Sequence, residues 1–128
     1  MTDLLKYTIE FPIHSSVNIL YNRLSTPSGL SEWFANNVSV ENDVYTFFWD
    51  RSEQSAKMLK KKENSFIRFK WEEEEYEDTY FEFLIQIDEL TGDVSLMITD
   101  YAEDNTEQEE QTALWQAQFN NLKRALGS

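Results

Sequence analysis

Thr106–Gly127, with the sequence TEQEEQTALWQAQFNNLKRALG, is the best-bounded helix of this chain, and the rest of the architecture is organised around it. Trp115, Phe119, Leu122 and Leu126 recur at i, i+4, i+7 and i+11, with Leu114 and Ala125 beside them, which is one apolar stripe. Thr106 and Glu109 read as a capping box. Glu107, Glu109 and Glu110 suit the positive first turn, Lys123 and Arg124 suit the negative last turn, and Gly127 supplies a left-handed stop. At 1.5 Å per residue such a helix spans roughly 28 Å, close to the ~27 Å of an eight-residue strand, so it can lie across a whole sheet.

The preceding residues supply that sheet. Tyr7, Ile9 and Phe11 alternate with Lys6, Thr8 and Glu10 in the period of a half-buried strand that Pro12 ends. Ser15 or Ser16 then caps a helix with Val17, Leu20, Tyr21 and Leu24 on one face. Thr26 caps a second short helix, with Pro27 at its first position and Leu30, Trp33 and Phe34 on a shared face. From Val38 to Tyr101 the pattern is all strand. Val38–Val40 joins Val44–Trp49 through Glu41-Asn42-Asp43, and Gln54–Lys62 joins Ser65–Trp71 through the two-residue turn Glu63-Asn64. Thr79–Ile87 joins Val94–Tyr101 around Thr91-Gly92-Asp93. The expected fold is α+β: one domain over residues 1–128, with a curved seven-stranded antiparallel sheet, two short helices after its first strand and one long terminal helix.

Composition removes several functions. The chain has 128 residues, no cysteine and one histidine, so disulfide frameworks, thiolate zinc sites and cysteine nucleophiles are excluded. The absence of cysteine suits a reducing compartment. Met1–Tyr7 lacks the basic head and apolar run of a leader peptide, and no stretch reaches the ~18 apolar residues of a membrane span, so a soluble, cytoplasmic protein is expected. With 24 acids against 11 lysines and arginines, the net charge of −13 repels phosphate backbones, and no nucleic-acid partner is expected. Lys57, Lys60, Lys61, Lys62, Arg68 and Lys70 form the one basic stretch. It reads as a surface salt-bridged to Glu72–Glu75, Glu77 and Asp78, with Glu72–Glu75 at a charged hairpin tip.

Catalytic signals are sparse. His14 sits at a strand-to-helix junction, the signature of a surface residue, and carboxylates alone show no metal-loop spacing. Asp50-Arg51 reads as a hairpin turn with a local ion pair. Asp100, beside Tyr101 on the last strand, lies near the sheet-helix space in this topology, where the pair reads either as an acid or hydrogen-bond donor set of a pocket or, as such pairs more often do, as a strand end. It converges with no nucleophile, and neither a cofactor nor a metal is called for.

The element order, with Val17, Leu20, Leu24, Thr26, Pro27, Leu30 and the pair Trp33-Phe34, resembles the START-like (Bet v 1-like, SRPBCC) superfamily. The local motif is nearest the branch of activators of heat-shock-protein ATPase. The resemblance covers nearly the whole chain and implies a helix-grip fold whose sheet curls around the terminal helix and holds an apolar molecule between them. Members include lipid and hormone carriers, polyketide cyclases and chaperone cofactors, so fold alone does not choose among them. Many members carry a glycine-rich loop after the second strand. This chain, with Gly29, Gly92 and Gly127 alone, does not.

Strand parity and helix face nominate the residues around that space. Tyr45, Phe47 and Trp49 share a face, as do Ile67, Phe69 and Trp71, and Phe81, Phe83 and Ile85; Trp33, Phe34, Met58, Met97, Trp115, Phe119 and Leu122 complete the wall. Such walls suit a flat apolar ligand, oriented by Tyr45 or Tyr101; the same side chains would equally fill a core at native density. The leading expectation is a non-enzymatic binder of a small hydrophobic molecule. The alternatives are an interaction or chaperone-cofactor module whose acidic surface meets a basic protein, and a polyketide cyclase or dehydratase-like enzyme.

Overall fold

The computed structural model describes residues 4–127. Met1, Thr2 and Asp3, where the reading against a leader peptide begins, lie outside the described residues, as does Ser128. Seven strands, β1 (Leu5–Ile13), β2 (Asn37–Glu41), β3 (Val44–Trp49), β4 (Ser52–Lys62), β5 (Phe66–Trp71), β6 (Phe81–Ile87) and β7 (Val94–Ala102), form one antiparallel sheet ordered β1-β7-β6-β5-β4-β3-β2. Helices α1 (Val17–Ser25) and α2 (Pro27–Leu30) connect the two edge strands, and α3 (Asn105–Leu126) closes the chain. The curved α+β arrangement is the one the sequence predicts.

Several boundaries differ for identifiable reasons. Pro12 does not end β1, because β1 is an edge strand, where a residue without an N–H is tolerated; Pro12 pairs with Ser95. Asn42 and Asp43, with φ of 52° and 65°, form a two-residue turn, and Glu41 belongs to the strand. The β4–β5 loop has three residues, Glu63–Ser65, since Lys62 pairs with Phe66 and Asn64 takes the left-handed conformation at φ 62°. The last helix begins earlier than its Thr106–Glu109 signal suggests. Asp104 is its N-cap and accepts from the Glu107 N–H at 2.8 Å, while the Glu107 carboxylate accepts from the Glu103 N–H at 3.1 Å. Gly127 stops it at φ 74° as expected.

Thr26 caps α2 by accepting from the Gly29 N–H at 2.9 Å, with Pro27 in the first turn. Gly29 lets α2 press against α1: a Cβ there would lie 2.3 Å from the Asn22 carbonyl oxygen and 2.7 Å from the Arg23 Cα. The indole of Trp33 donates to the Arg23 carbonyl at 2.8 Å, and the Tyr45 hydroxyl donates to the Ser25 carbonyl at 2.7 Å. The two short helices are thereby fastened to each other and to the sheet, and they deliver Phe34 to its inner face.

The basic stretch is wired differently from expectation. Arg68 reaches Glu82 through Nε and a terminal nitrogen, each 2.8 Å from one carboxylate oxygen, because the β5–β6 register sets them opposite one another. Lys70 donates to the Tyr76 and Thr79 carbonyls at 2.5 and 3.1 Å, pinning the loop after the glutamate run. The Glu72–Glu75 run itself is exposed between β5 and β6. Asp50 accepts from Asn36 at 3.2 Å in place of the local ion pair with Arg51.

Candidate functional site: a cleft between sheet and terminal helix

Period-two alternation turns Phe47 and Trp49 of β3, Phe69 and Trp71 of β5, and Phe81 and Phe83 of β6 toward the same side, and Phe34 drops into the bowl they make. Its ring lies 4.9 Å from Phe47, 5.8 Å from Phe83 and 5.9 Å from both Trp49 and Trp115, centroid to centroid. Phe69 and Phe81 stack at 5.0 Å, and Trp71 and Phe81 at 4.7 Å. Tyr45 belongs to this packed set, with its hydroxyl taken by the Ser25 carbonyl. Phe47, Phe69, Phe81 and Phe83 have no exposed surface. These nominated wall residues are packed core, held by apolar burial and by edge and stacked ring contacts.

Other nominated residues lie elsewhere. Trp33 is buried against Phe34 and Phe83, and Met58 packs at the core margin. Phe119 stacks on Phe11 at 4.4 Å and, with Leu122, seats α3 on the sheet. Met97 does not share this face. It pairs with Glu10 and Leu84, which places it on the outer surface of the sheet. Tyr101 also points outward, its ring 5.4 Å from Tyr80; the Lys6 ammonium beside Tyr80 holds that phenol below its ordinary pKa.

Where the sheet curls away from α3, a cleft of about 300 Å³ opens. Phe34, Trp49 and Trp71 form its sheet side. Gln111, Leu114, Trp115, Ala117, Gln118 and Asn121 form its helix side, and Asp100 lies in its wall. Leu114 stands 67% exposed on the lip. Sequence reasoning nominated Phe34, Trp49, Trp71 and Trp115 but passed over the helix polar residues. The signal was there: Gln111, Leu114, Gln118 and Asn121 fall at i, i+3, i+7 and i+10, a stripe adjoining the buried one.

Asp100 reaches the cleft because Leu96, Ile98 and Asp100 alternate onto the inner face, where Asp100 pairs with Tyr7. Its carboxylate accepts from the Tyr101 N–H at 2.8 Å and from the Trp115 indole N–H at 3.1 Å. Burial pushes its pKa up to about 6; the two donors oppose the shift, and the charges of Glu74 and Glu107 add to it. The Tyr7 hydroxyl, raised chiefly by burial and then by the charge of Asp100, donates to Gln111, whose amide donates to Glu107 at 3.1 Å. This chain fixes Gln111 on the cleft floor. His14 is exposed and far along β1 from these groups. Among the described residues no three potential ligands cluster to hold a metal, and no helix is long and apolar enough to cross a membrane.

A bowl-shaped antiparallel sheet closed by its terminal helix, with an aromatic cleft at the seam, defines a helix-grip α+β domain. The START-like superfamily domain matches residues 1–128, and the chain belongs to that superfamily. Among solved structures it is similar to BfR322 from Bacteroides fragilis, with 36% identity and a TM-score of 0.68 over 95% of this chain and 90% of that one. It also resembles the Aha1 dimer from Colwellia psychrerythraea, at 19% identity and a TM-score of 0.78, over 95% of this chain and 96% of that one. A third likeness is to DynU16, a protein in the dynemicin biosynthetic locus, at 13% identity and a TM-score of 0.76, over 100% of this chain and 48% of that one. The last two likenesses show the fold alone. No curated protein matches the sequence.

Proposed function

We propose that this domain binds a small apolar molecule in the cleft between the sheet and α3, without chemical turnover. The observation that carries the reading is the Trp49–Trp71–Trp115–Leu114 surface around an open space of about 300 Å³, beside a core whose other rings are already satisfied. Burying those rims against a ligand removes apolar area from water, and the amides of Gln111 and Gln118 supply orienting hydrogen bonds. Binding is favoured over catalysis because Asp100 is the one titratable group in the cleft lining, with no nucleophile in that lining to act with it. The absence of cysteine suits a cytoplasmic carrier. Masses of the purified protein under native and denaturing conditions test the reading. A bound molecule adds mass that vanishes on unfolding; a protein that yields no such mass and takes up no apolar probe is not a carrier.

A second reading, an interaction module for a basic protein, draws on the exposed Glu72–Glu75 run, where Glu73, Glu74 and Glu75 border a shallow recess with Trp71, Tyr76 and Glu103. Such a partner would be steered by charge and released by salt. Capture from lysate that is unchanged between low and high salt would oppose it.

A further inference from the structure

The cleft wall holds a carboxylate with no counter-ion. Among the described residues the ion pairs are Arg23–Glu32 and Arg68–Glu82, and Asp100 takes part in neither. Its two donors, the Tyr101 N–H and the Trp115 indole, are neutral. A carboxylate withdrawn from water is ordinarily paired with a cation, and no described residue performs that role here. The recess on the other side of Asp100 is bordered by Glu74, Glu103 and Glu107, and no lysine or arginine lines either space.

The other wall material has the same preference. Trp49 and Trp71, both half-buried, present aromatic surface in front of the buried Trp115 and Phe34, and electron-rich ring faces attract cations, more strongly those stripped of water. An anionic amphiphile would bring its charge against Asp100 and the acidic border, in the field of a chain carrying −13 overall.

We infer that the ligand of this cleft is a cation: a flat apolar body bearing a protonated or quaternary amine that pairs with Asp100 between the indoles. The inference rests on the carrier reading above and narrows it to one class of molecule. It sets the site against fatty acids and other anionic lipids.

Three probes sharing one body test it: naphthylmethyl-trimethylammonium, naphthylmethanol and naphthylacetate, titrated against the full chain by calorimetry at low and moderate salt. The ammonium probe is expected to bind about tenfold more tightly than the alcohol, a difference of about 1.4 kcal/mol. The carboxylate probe is expected to bind most weakly. Asp100→Asn should bring the ammonium and alcohol affinities together. Ala117→Lys, a change at an exposed helix position on the cleft, should weaken the ammonium probe about tenfold and spare the alcohol. Equal wild-type affinities for ammonium and alcohol would overturn the charge assignment and leave the carrier reading intact. A preference that survives both substitutions would overturn the assignment to Asp100. Failure of all three probes to bind would overturn the carrier reading together with the inference.

Discussion

The indole N–H of Trp115 meets the carboxylate of Asp100 at 3.1 Å, joining the middle of α3 to β7 across the cleft wall. One residue therefore serves two surfaces: the Trp115 ring packs on Phe34 and Phe83, and its nitrogen stabilises a charge that burial opposes. Removing the nitrogen while keeping an aromatic ring separates these roles. Trp115→Phe should raise the Asp100 pKa further above 6, because the lost donor favoured the ionised form. A carboxyl-carbon NMR titration of Asp100 reads this directly, and an unchanged midpoint would show that the bond carries no weight.

The same carboxylate links stability to pH. The folded protein holds the Asp100 proton more tightly than the unfolded chain, whose Asp pKa is near 3.8. Its contribution is therefore fully present below about pH 4 and is lost as pH rises through 6. The groups facing it are Tyr7 on β1, Glu107 and Trp115 on α3, and Glu74 on the β5–β6 loop. Relative to Asp100→Asn, the wild-type protein should gain about 2 kcal/mol on going from pH 7.5 to 4.5. Parallel urea denaturations at the two pH values check the difference, and coincident changes in both proteins would refute it.

Phe34 is 4% exposed and touches rings from three strands and α3. Phe34→Ala should cost ~3–5 kcal/mol of stability, since ring and cavity terms both count against it. The same change should enlarge the cleft toward the core, so a neutral apolar probe should bind the variant more tightly than the parent. Chemical denaturation and probe titration give the two readings.

Gly29 is set by contact rather than by backbone torsion. A methyl group there meets main-chain atoms of α1, which cannot rotate away, so Gly29→Ala should destabilise by about 1–3 kcal/mol. Retention of full stability would mean that α1 and α2 separate at no cost.

On the outer face, Glu82 is 9% exposed and answered by Arg68. Arg68→Met strands that carboxylate, whereas Arg68→Met combined with Glu82→Leu removes both charges. The double variant should be the more stable of the two, by about 1–2 kcal/mol after allowance for the partial exposure of Arg68. Thermal unfolding of both proteins checks the order.

The elements read directly from the sequence are those where a period and a boundary signal coincide. The apolar stripe of α3, the Thr26-Pro27 start and the aromatic alternations of β3, β5 and β6 are of this kind. Edge and turn details escaped because they depend on the pairing partner: Pro12 is admissible in β1 because β1 lies at the edge, and the β4–β5 loop gains Ser65 because Lys62 opposes Phe66. The sequence nomination of Met97 for the inner wall misses its parity, since the alternation of Leu96, Ile98 and Asp100 assigns the inner face to its neighbours. The cleft was only half legible. Its apolar side follows from parity, but whether rings line a space or fill it depends on how far Phe34 descends, which the α1–α2 corner controls.

Two side-chain donors from separate parts of the fold end on one main-chain atom: the Trp49 indole at 3.0 Å and the Gln118 amide at 3.1 Å both reach the Phe34 carbonyl oxygen. Every amino acid has that oxygen, so no substitution at position 34 can delete the acceptor. The gauge between strand β3 and helix α3 is thus written in the backbone, while the ring that plugs the bowl is written in a side chain. A smaller side chain at position 34 would shrink the plug, while the spacing of β3 and α3, and with it the width of the cleft mouth, would stay as it is.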